Sequence, residues 1–191
     1  MNGPTRLTLL RIALIPMLMF VNEIDSPWNS WVALSIFLLA SITDWLDGFL
    51  ARKMNQITTL GKLLDPLADK LLVLTALLLI LERKYVPAWL VILLIGREMG
   101  ITGLRAFLAA EHIVLAANKM GKWKMTFQVI AISFLFLSDE WYVFHRVGLI
   151  TAYLALVLSL ISAYAYIARF WQLLGEKIMA EQMNKGKPVN D

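Results

Sequence analysis

The chain of 191 residues contains no cysteine, which excludes disulfides, thiolate zinc sites and cysteine nucleophiles. Histidine is nearly absent. His112 and His145 fall near predicted helix ends, have no metal-ligand spacing to each other, and carry no catalytic role. No internal repeat or low-complexity segment is present. Charged residues make up 17% of the chain against 59% hydrophobic, with a mean hydropathy of +0.67. That balance is too apolar for an ordinary soluble domain and leaves no room for a separate one. A signal-peptide cleavage site is also missing. Arg6 and Arg11 precede or open the apolar run at 12–20, but the chain continues as Val21, Asn22 and Glu23. The N-terminus therefore reads as a first membrane span.

Apolar runs recur along nearly the whole length. The expected fold is all-α, a polytopic membrane protein with six transmembrane helices at about residues 7–21, 28–50, 61–81, 86–109, 125–137 and 147–173. The fifth run is short for a crossing of about 20 residues and is expected to extend back through 119–124 as helix. Residues 1–174 then form a single catalytic membrane domain, and 175–191 a polar C-terminal tail that frays from the last span. Basic residues are unevenly distributed. Arg6, Arg11, Arg52, Lys53, Lys62, Arg105, Lys119, Lys122, Lys124, Arg169, Lys177, Lys185 and Lys187 all fall on one side of this layout. The other side has Arg83, Lys84 and Arg146, accompanied by Glu23, Asp25, Asp139 and Glu140. The positive-inside rule makes both termini cytoplasmic. The pI near 9.4 thus reflects orientation and anionic phosphate partners, with no nucleic acid implied. Trp28, Trp31, Trp89, Trp141 and Tyr142 read as interfacial anchors.

Against this apolar background stands TDWLDGFLARKMNQITTLGKLLDPLAD, which carries Asp44, Asp47, Asp65 and Asp69. An acid near the bilayer centre costs roughly 2.5–3.5 kcal/mol, so four cost roughly 10–14 kcal/mol unless neutralised. At about 100° per residue, Asp44, Asp47, Gly48, Ala51 and Arg52 share one arc of the second helix. Gly61, Asp65 and Asp69, spaced by four, share a face of the third. Packed side by side, the two helices bring the carboxylates together. Such a cluster without His or Cys selects hard divalent cations, Mg²⁺ or Mn²⁺. Two of them would balance the four negative charges and clamp a phosphoryl group. Gly48 and Ala51 permit close approach of a neighbour or ligand, and Arg52 could hold a phosphate oxygen. Pro66 either kinks the third helix or marks its first turn.

These residues match D-x2-D-G-x2-A-R-x8-G-x3-D-x3-D at every specified position. The chain thus resembles the CDP-alcohol phosphotransferases, integral membrane enzymes of phospholipid synthesis. The resemblance implies that Asp44, Asp47, Asp65 and Asp69 hold two divalent cations and that Asp69 is also the general base. It implies that Asp47, Gly48, Ala51, Arg52, Gly61 and Asp65 receive the CDP-linked donor, and that CMP is released as a substituted phosphoryl group passes to an alcohol. It also implies a homodimer, and Gly96 and Gly100 offer a GxxxG-like contact that could equally be intramolecular.

The acceptor is addressed by later segments. GREMGITGLR sets Arg97, Glu98 and Arg105 in the fourth apolar run, and NKMGKWKMTFQ carries Lys119, Lys122 and Lys124. An intramembrane Arg is a functional candidate. The alternatives are a structural pair of Arg97 or Arg105 with Glu98, and a basic loop beside anionic lipid. These stretches, with the opening PTRLTLLRI, resemble the branch of the family that makes phosphatidylglycerol phosphate. The implied donor is CDP-diacylglycerol and the implied acceptor sn-glycerol 3-phosphate, its phosphate held by Arg97, Arg105, Lys122 and Lys124. The implied location is a bacterial inner membrane with the site facing the cytoplasm. Serine, an inositol phosphate or phosphatidylglycerol are alternative acceptors. A divalent-cation or proton transporter would also suit intramembrane acids, but gives no reason for Gly48, Ala51, Arg52 and Gly61 at these offsets.

Overall fold

The computed structural model describes the backbone of residues 3–24, 26–54, 59–111 and 119–185, and the side chains of 8–24, 26–43, 64, 67–111 and 123–175. Within them the fold is six helices and no strand: α1 (Gly3–Glu23), α2 (Asn29–Met54), α3 (Thr59–Glu82), α4 (Ala88–Ala110), α5 (Lys119–Phe136) and α6 (Tyr142–Lys185). The all-α expectation holds, and each expected run corresponds to one helix. As expected, α5 begins at Lys119, which lengthens the short fifth run. Several helices run past the expected spans, α6 by the most. Helix α6 continues past Gly175 to Lys185, because GEKIMAEQMNK is composed largely of helix-forming residues. Helix α3 is continuous from Thr59 through position 66, so Pro66 lies beyond its first turn.

All six helices feed one core. Leu18 of α1, Phe37 of α2, Leu72 and Ile80 of α3, Leu90 of α4, Ile132 and Phe136 of α5, and Leu156 of α6 are buried in it. Phe37 and Phe136 meet with ring centroids 5.9 Å apart, tying α2 to α5. Helices α4 and α6 run parallel, as Trp89 against Tyr153 and Phe107 against Phe170 show. Helix α5 packs along α6, and an added Cβ at Gly148 would lie 2.8 Å from Leu135 Cγ and 3.1 Å from its backbone nitrogen. Gly148→Ala should therefore destabilise the pair. Overpacking costs about 1–3 kcal/mol, against about 1 kcal/mol gained in helix propensity. Gly175→Ala, with open space around the site, should gain about 0.5–1 kcal/mol. Thermal unfolding in detergent checks this, and a midpoint for Gly148→Ala above wild type would refute the close contact.

The two ends of the bundle differ. At one end, a polar cap joins the α1–α2, α3–α4 and α5–α6 connections. Arg83 Nε donates to Asn22 Oδ1 at 2.8 Å, Asn22 Nδ2 donates to Glu82 at 3.3 Å, and Arg83 pairs with Asp139 at 3.4 Å. The Tyr85 hydroxyl donates to Asp139. Burial and that bond push its pKa up to about 12. His145 belongs to this end, with its ring against Tyr85 and Nδ1 3.3 Å from Ser138 Oγ. His112 lies outside the described residues.

Helix α6 over Tyr142–Gly175 is long and apolar enough to cross a bilayer, the one such helix among the described residues. Asn29–Thr43 and Trp123–Phe136 are shorter apolar stretches. In α4 the charges of Arg97, Glu98 and Arg105 interrupt the apolar run. The outer surface is rich in exposed Leu, Ile, Met and Phe. Trp28, Trp89, Trp141 and Tyr142 are exposed at one end of the bundle, and Trp123 and Trp171 at the other.

Candidate active site

A cavity of about 690 Å³ opens between α3, α4, α5 and α6. One part of its wall is apolar, with Leu71, Leu74 and Leu77 facing Leu94 and Ile95. The other is charged. Asp69 and Lys70 come from α3, Arg97, Glu98 and Arg105 from α4, and Lys124 from α5. Lining a membrane-type bundle with so many charges is tolerable only where they pair or face a polar ligand.

The pairing is specific. Lys124 Nζ forms an ion pair with Glu98 Oε2, and Arg97 Nη1 reaches the same oxygen at 3.2 Å. Arg97 is anchored a second time, through Nε to the carbonyl oxygen of Ser159 on α6, at 2.9 Å. Lys70 Nζ donates to Thr102 Oγ1, whose hydroxyl donates to the Glu98 backbone carbonyl at 2.8 Å. The Arg105 guanidinium lies 5.4 Å from the ring centroid of Tyr166 on α6, a cation–π contact. Arg105 itself is exposed. Asp69, half-buried on α3, is near enough to act electrostatically on Lys124.

Of the residues singled out from the sequence, the structure thus brings Asp69, Arg97, Arg105 and Lys124 to one cavity. The pair of Arg97 with Glu98 also forms, whereas Arg105 takes the ring of Tyr166 instead. Asp44, Asp47, Gly48, Ala51 and Arg52 lie on α2, Gly61 and Asp65 on α3, and Lys122 on α5, but their side chains lie outside the described set. Asp65 and Asp69 stand four positions apart on one continuous helix. Among the described residues no group of three His, Cys, Asp or Glu is placed to hold a metal. Gly96 and Gly100 have nothing within 4 Å of an added Cβ, so the described residues give no close helix approach within the chain there.

Sequence reasoning assigned no site role to Lys70, Thr102, Gln128 or Tyr166, all of which line the cavity. Thr102 has a signal in hindsight. It stands one turn beyond Glu98 on the face shared with Arg105. Tyr166 has none, since only the packing of α6 on α4 brings its ring to Arg105.

Comparison with known proteins bears on the same residues. A Bacillus subtilis protein named CDP-diacylglycerol--glycerol-3-phosphate 3-phosphatidyltransferase is 39% identical over 188 residues, covering 91% of this chain and 97% of its own. Proteins of the same name from Rickettsia bellii and Shigella flexneri are 38% and 39% identical, covering 86% and 87% of this chain and 93% of each. Residues 1–172, which include the aspartate pattern and every charged residue of the cavity, match the CDP-alcohol phosphatidyltransferase family, and the chain belongs to that family.

Proposed function

We propose that this enzyme transfers the phosphatidyl group of CDP-diacylglycerol to sn-glycerol 3-phosphate, forming phosphatidylglycerol phosphate and CMP. The observation that carries the acceptor is the charge of the cavity. Among the described residues four cations and two carboxylates line it, an excess of two positive charges beside Asp69. A phosphate monoester dianion, glycerol 3-phosphate or an inositol phosphate alike, balances that excess, while a neutral alcohol or zwitterionic serine leaves it uncompensated. The names of the relatives point to the same acceptor.

In this reading the acceptor's phosphate sits against Arg97, Lys124 and Arg105, with Lys122 from the same basic segment. That contact points its free hydroxyl at α3. Asp69 takes the hydroxyl proton as the oxygen attacks the phosphorus that carries diacylglycerol. The bond from that phosphorus to the oxygen bridging to the cytidylate breaks, and CMP leaves with the electron pair. The donor's nucleotide lies along Asp47, Gly48, Ala51, Arg52, Gly61 and Asp65. The all-oxygen donor set of Asp44, Asp47, Asp65 and Asp69 fits hard divalent cations, and these four residues would hold two, Mg²⁺ or Mn²⁺. When bound, the ions would neutralise charge on the diphosphate.

The six helices are read as membrane spans, with both termini and the site on the cytoplasmic side of a bacterial inner membrane. The exposed apolar surface and the aromatic residues at both ends of the bundle support the spans, and the uneven distribution of basic residues supports the orientation. The small-residue face at Gly96 and Gly100 is open for a homodimer contact.

Purified protein given CDP-diacylglycerol and Mg²⁺ or Mn²⁺ should release CMP with glycerol 3-phosphate and not with serine or an inositol phosphate. A chelator should abolish the release. Release with serine instead would overturn the acceptor, and release unaffected by chelator would overturn the metal-dependent reading.

A further inference from the structure

We infer that Glu98 is a displaceable counter-ion that occupies the acceptor-phosphate subsite until a phosphate monoester replaces it, and so keeps small anions from holding the site. The inference rests on the acceptor reading above and adds a role for a residue that reading leaves unused.

The geometry is asymmetric. The side chains of Arg97 and Lys124 are 9% and 8% exposed, whereas that of Glu98 is 36% exposed. Glu98 is thus the most exposed of the three, all of which line the cavity. Neighbouring residues on a helix diverge by about 100° and do not ordinarily face each other. Arg97 and Glu98 nevertheless meet at 3.2 Å, on the same Glu98 oxygen that pairs with Lys124 of α5. Arg97 does not depend on Glu98 for its position, since its Nε is held by the Ser159 carbonyl. If Glu98 swings away, the anchored Arg97 exposes a guanidinium edge and the Lys124 ammonium loses its carboxylate, leaving two cations for a phosphate to bridge. With Glu98 in place, an arriving anion must replace an existing charge-assisted bond on both cations.

An internal carboxylate competitor lowers affinity for every anion. A phosphate monoester whose hydroxyl also reaches Asp69 recovers that loss through its second contact, and inorganic phosphate does not. Glu98 thereby acts on specificity: it discriminates between the acceptor and the free phosphate of the cytosol.

The test uses Glu98→Gln in the full-length protein, with inorganic phosphate as the probe. Phosphate binding is measured by calorimetry, and phosphate inhibition of CMP release is measured at fixed glycerol 3-phosphate. Glu98→Gln is expected to bind phosphate at least about tenfold more tightly than wild type, with inhibition strengthened by a similar factor. Structural damage would move affinity the opposite way. Unchanged or weaker phosphate binding would overturn the proposal. Glu98→Asp retains the charge on a shorter arm and is expected to show an intermediate gain. Should the Gln variant not fold, a phosphate affinity for Glu98→Asp no higher than wild type would overturn the proposal. Calorimetry requires no turnover, so if wild type fails to use glycerol 3-phosphate, the acceptor reading falls while the counter-ion role is still decided by the phosphate affinities.

Discussion

Asp69→Asn is expected to bind CDP-diacylglycerol and to lose turnover by a factor of about 10²–10⁴, the usual contribution of a positioned base. The substitution keeps size and shape at a half-buried position on the cavity wall. What it removes is the capacity to take a proton and one negative charge. The two losses are separable. If Asp69 acts chiefly as a cation ligand, raising Mg²⁺ or Mn²⁺ restores most of the rate. If it is the base, saturation with metal leaves the rate low. Donor binding, followed by displacement of a labelled CDP-diacylglycerol, should change by less than about tenfold, because Asp44, Asp47 and Asp65 would still hold metal. Full activity in Asp69→Asn would remove its role as base. A rate restored by metal would reassign it as a ligand alone.

The helical layout was legible in the sequence because a membrane-type helix must present an apolar run of nearly constant length. The ends were less legible. Helix α6 continues through Gly175 into GEKIMAEQMNK, where polarity signals departure from the bilayer but intrinsic helix propensity persists. The aspartate motif was legible as a periodic pattern, since spacings of three and four put acids on one helix face. Family membership then favours catalysis over ion transport for those acids. The cavity's inner contacts were not legible. That Glu98 takes Lys124 and Arg97 together, that Arg97 is fixed by the Ser159 carbonyl, and that Arg105 rests on Tyr166 all depend on how α5 and α6 pack on α4. No local periodicity encodes those pairings. From sequence alone, Arg105 was as good a partner for Glu98 as Arg97, because Glu98, Thr102 and Arg105 share a helix face whereas adjacent residues diverge. The third dimension separates them by giving Arg105 an aromatic face and Arg97 a backbone carbonyl.

The acceptor assignment depends most on Lys124. Lys124→Ala is expected to lower kcat/KM for glycerol 3-phosphate by about 10–100-fold, with the KM for CDP-diacylglycerol within about twofold of wild type. The magnitude follows from losing a charge-assisted bond to phosphate, worth about 1.5–3 kcal/mol. The residue is buried on α5, its ammonium directed at Glu98 rather than at water. Removing one partner of a buried pair also lowers stability. Rates should therefore be read well below the unfolding midpoint of the variant. Lys124→Arg keeps the charge and should retain more acceptor affinity than Lys124→Ala, despite its larger head in a confined place. Trp123→Ala provides the comparison. Trp123 is the neighbouring residue but is 64% exposed on the outer surface, so its loss should leave the acceptor dependence unaltered. A proportional change in acceptor and donor dependences on Lys124→Ala would show that α5 merely supports the fold there. A selective loss for the acceptor, partly restored by Arg, places the phosphate of glycerol 3-phosphate against Lys124, because a general defect in α5 would weaken the use of both anionic substrates together.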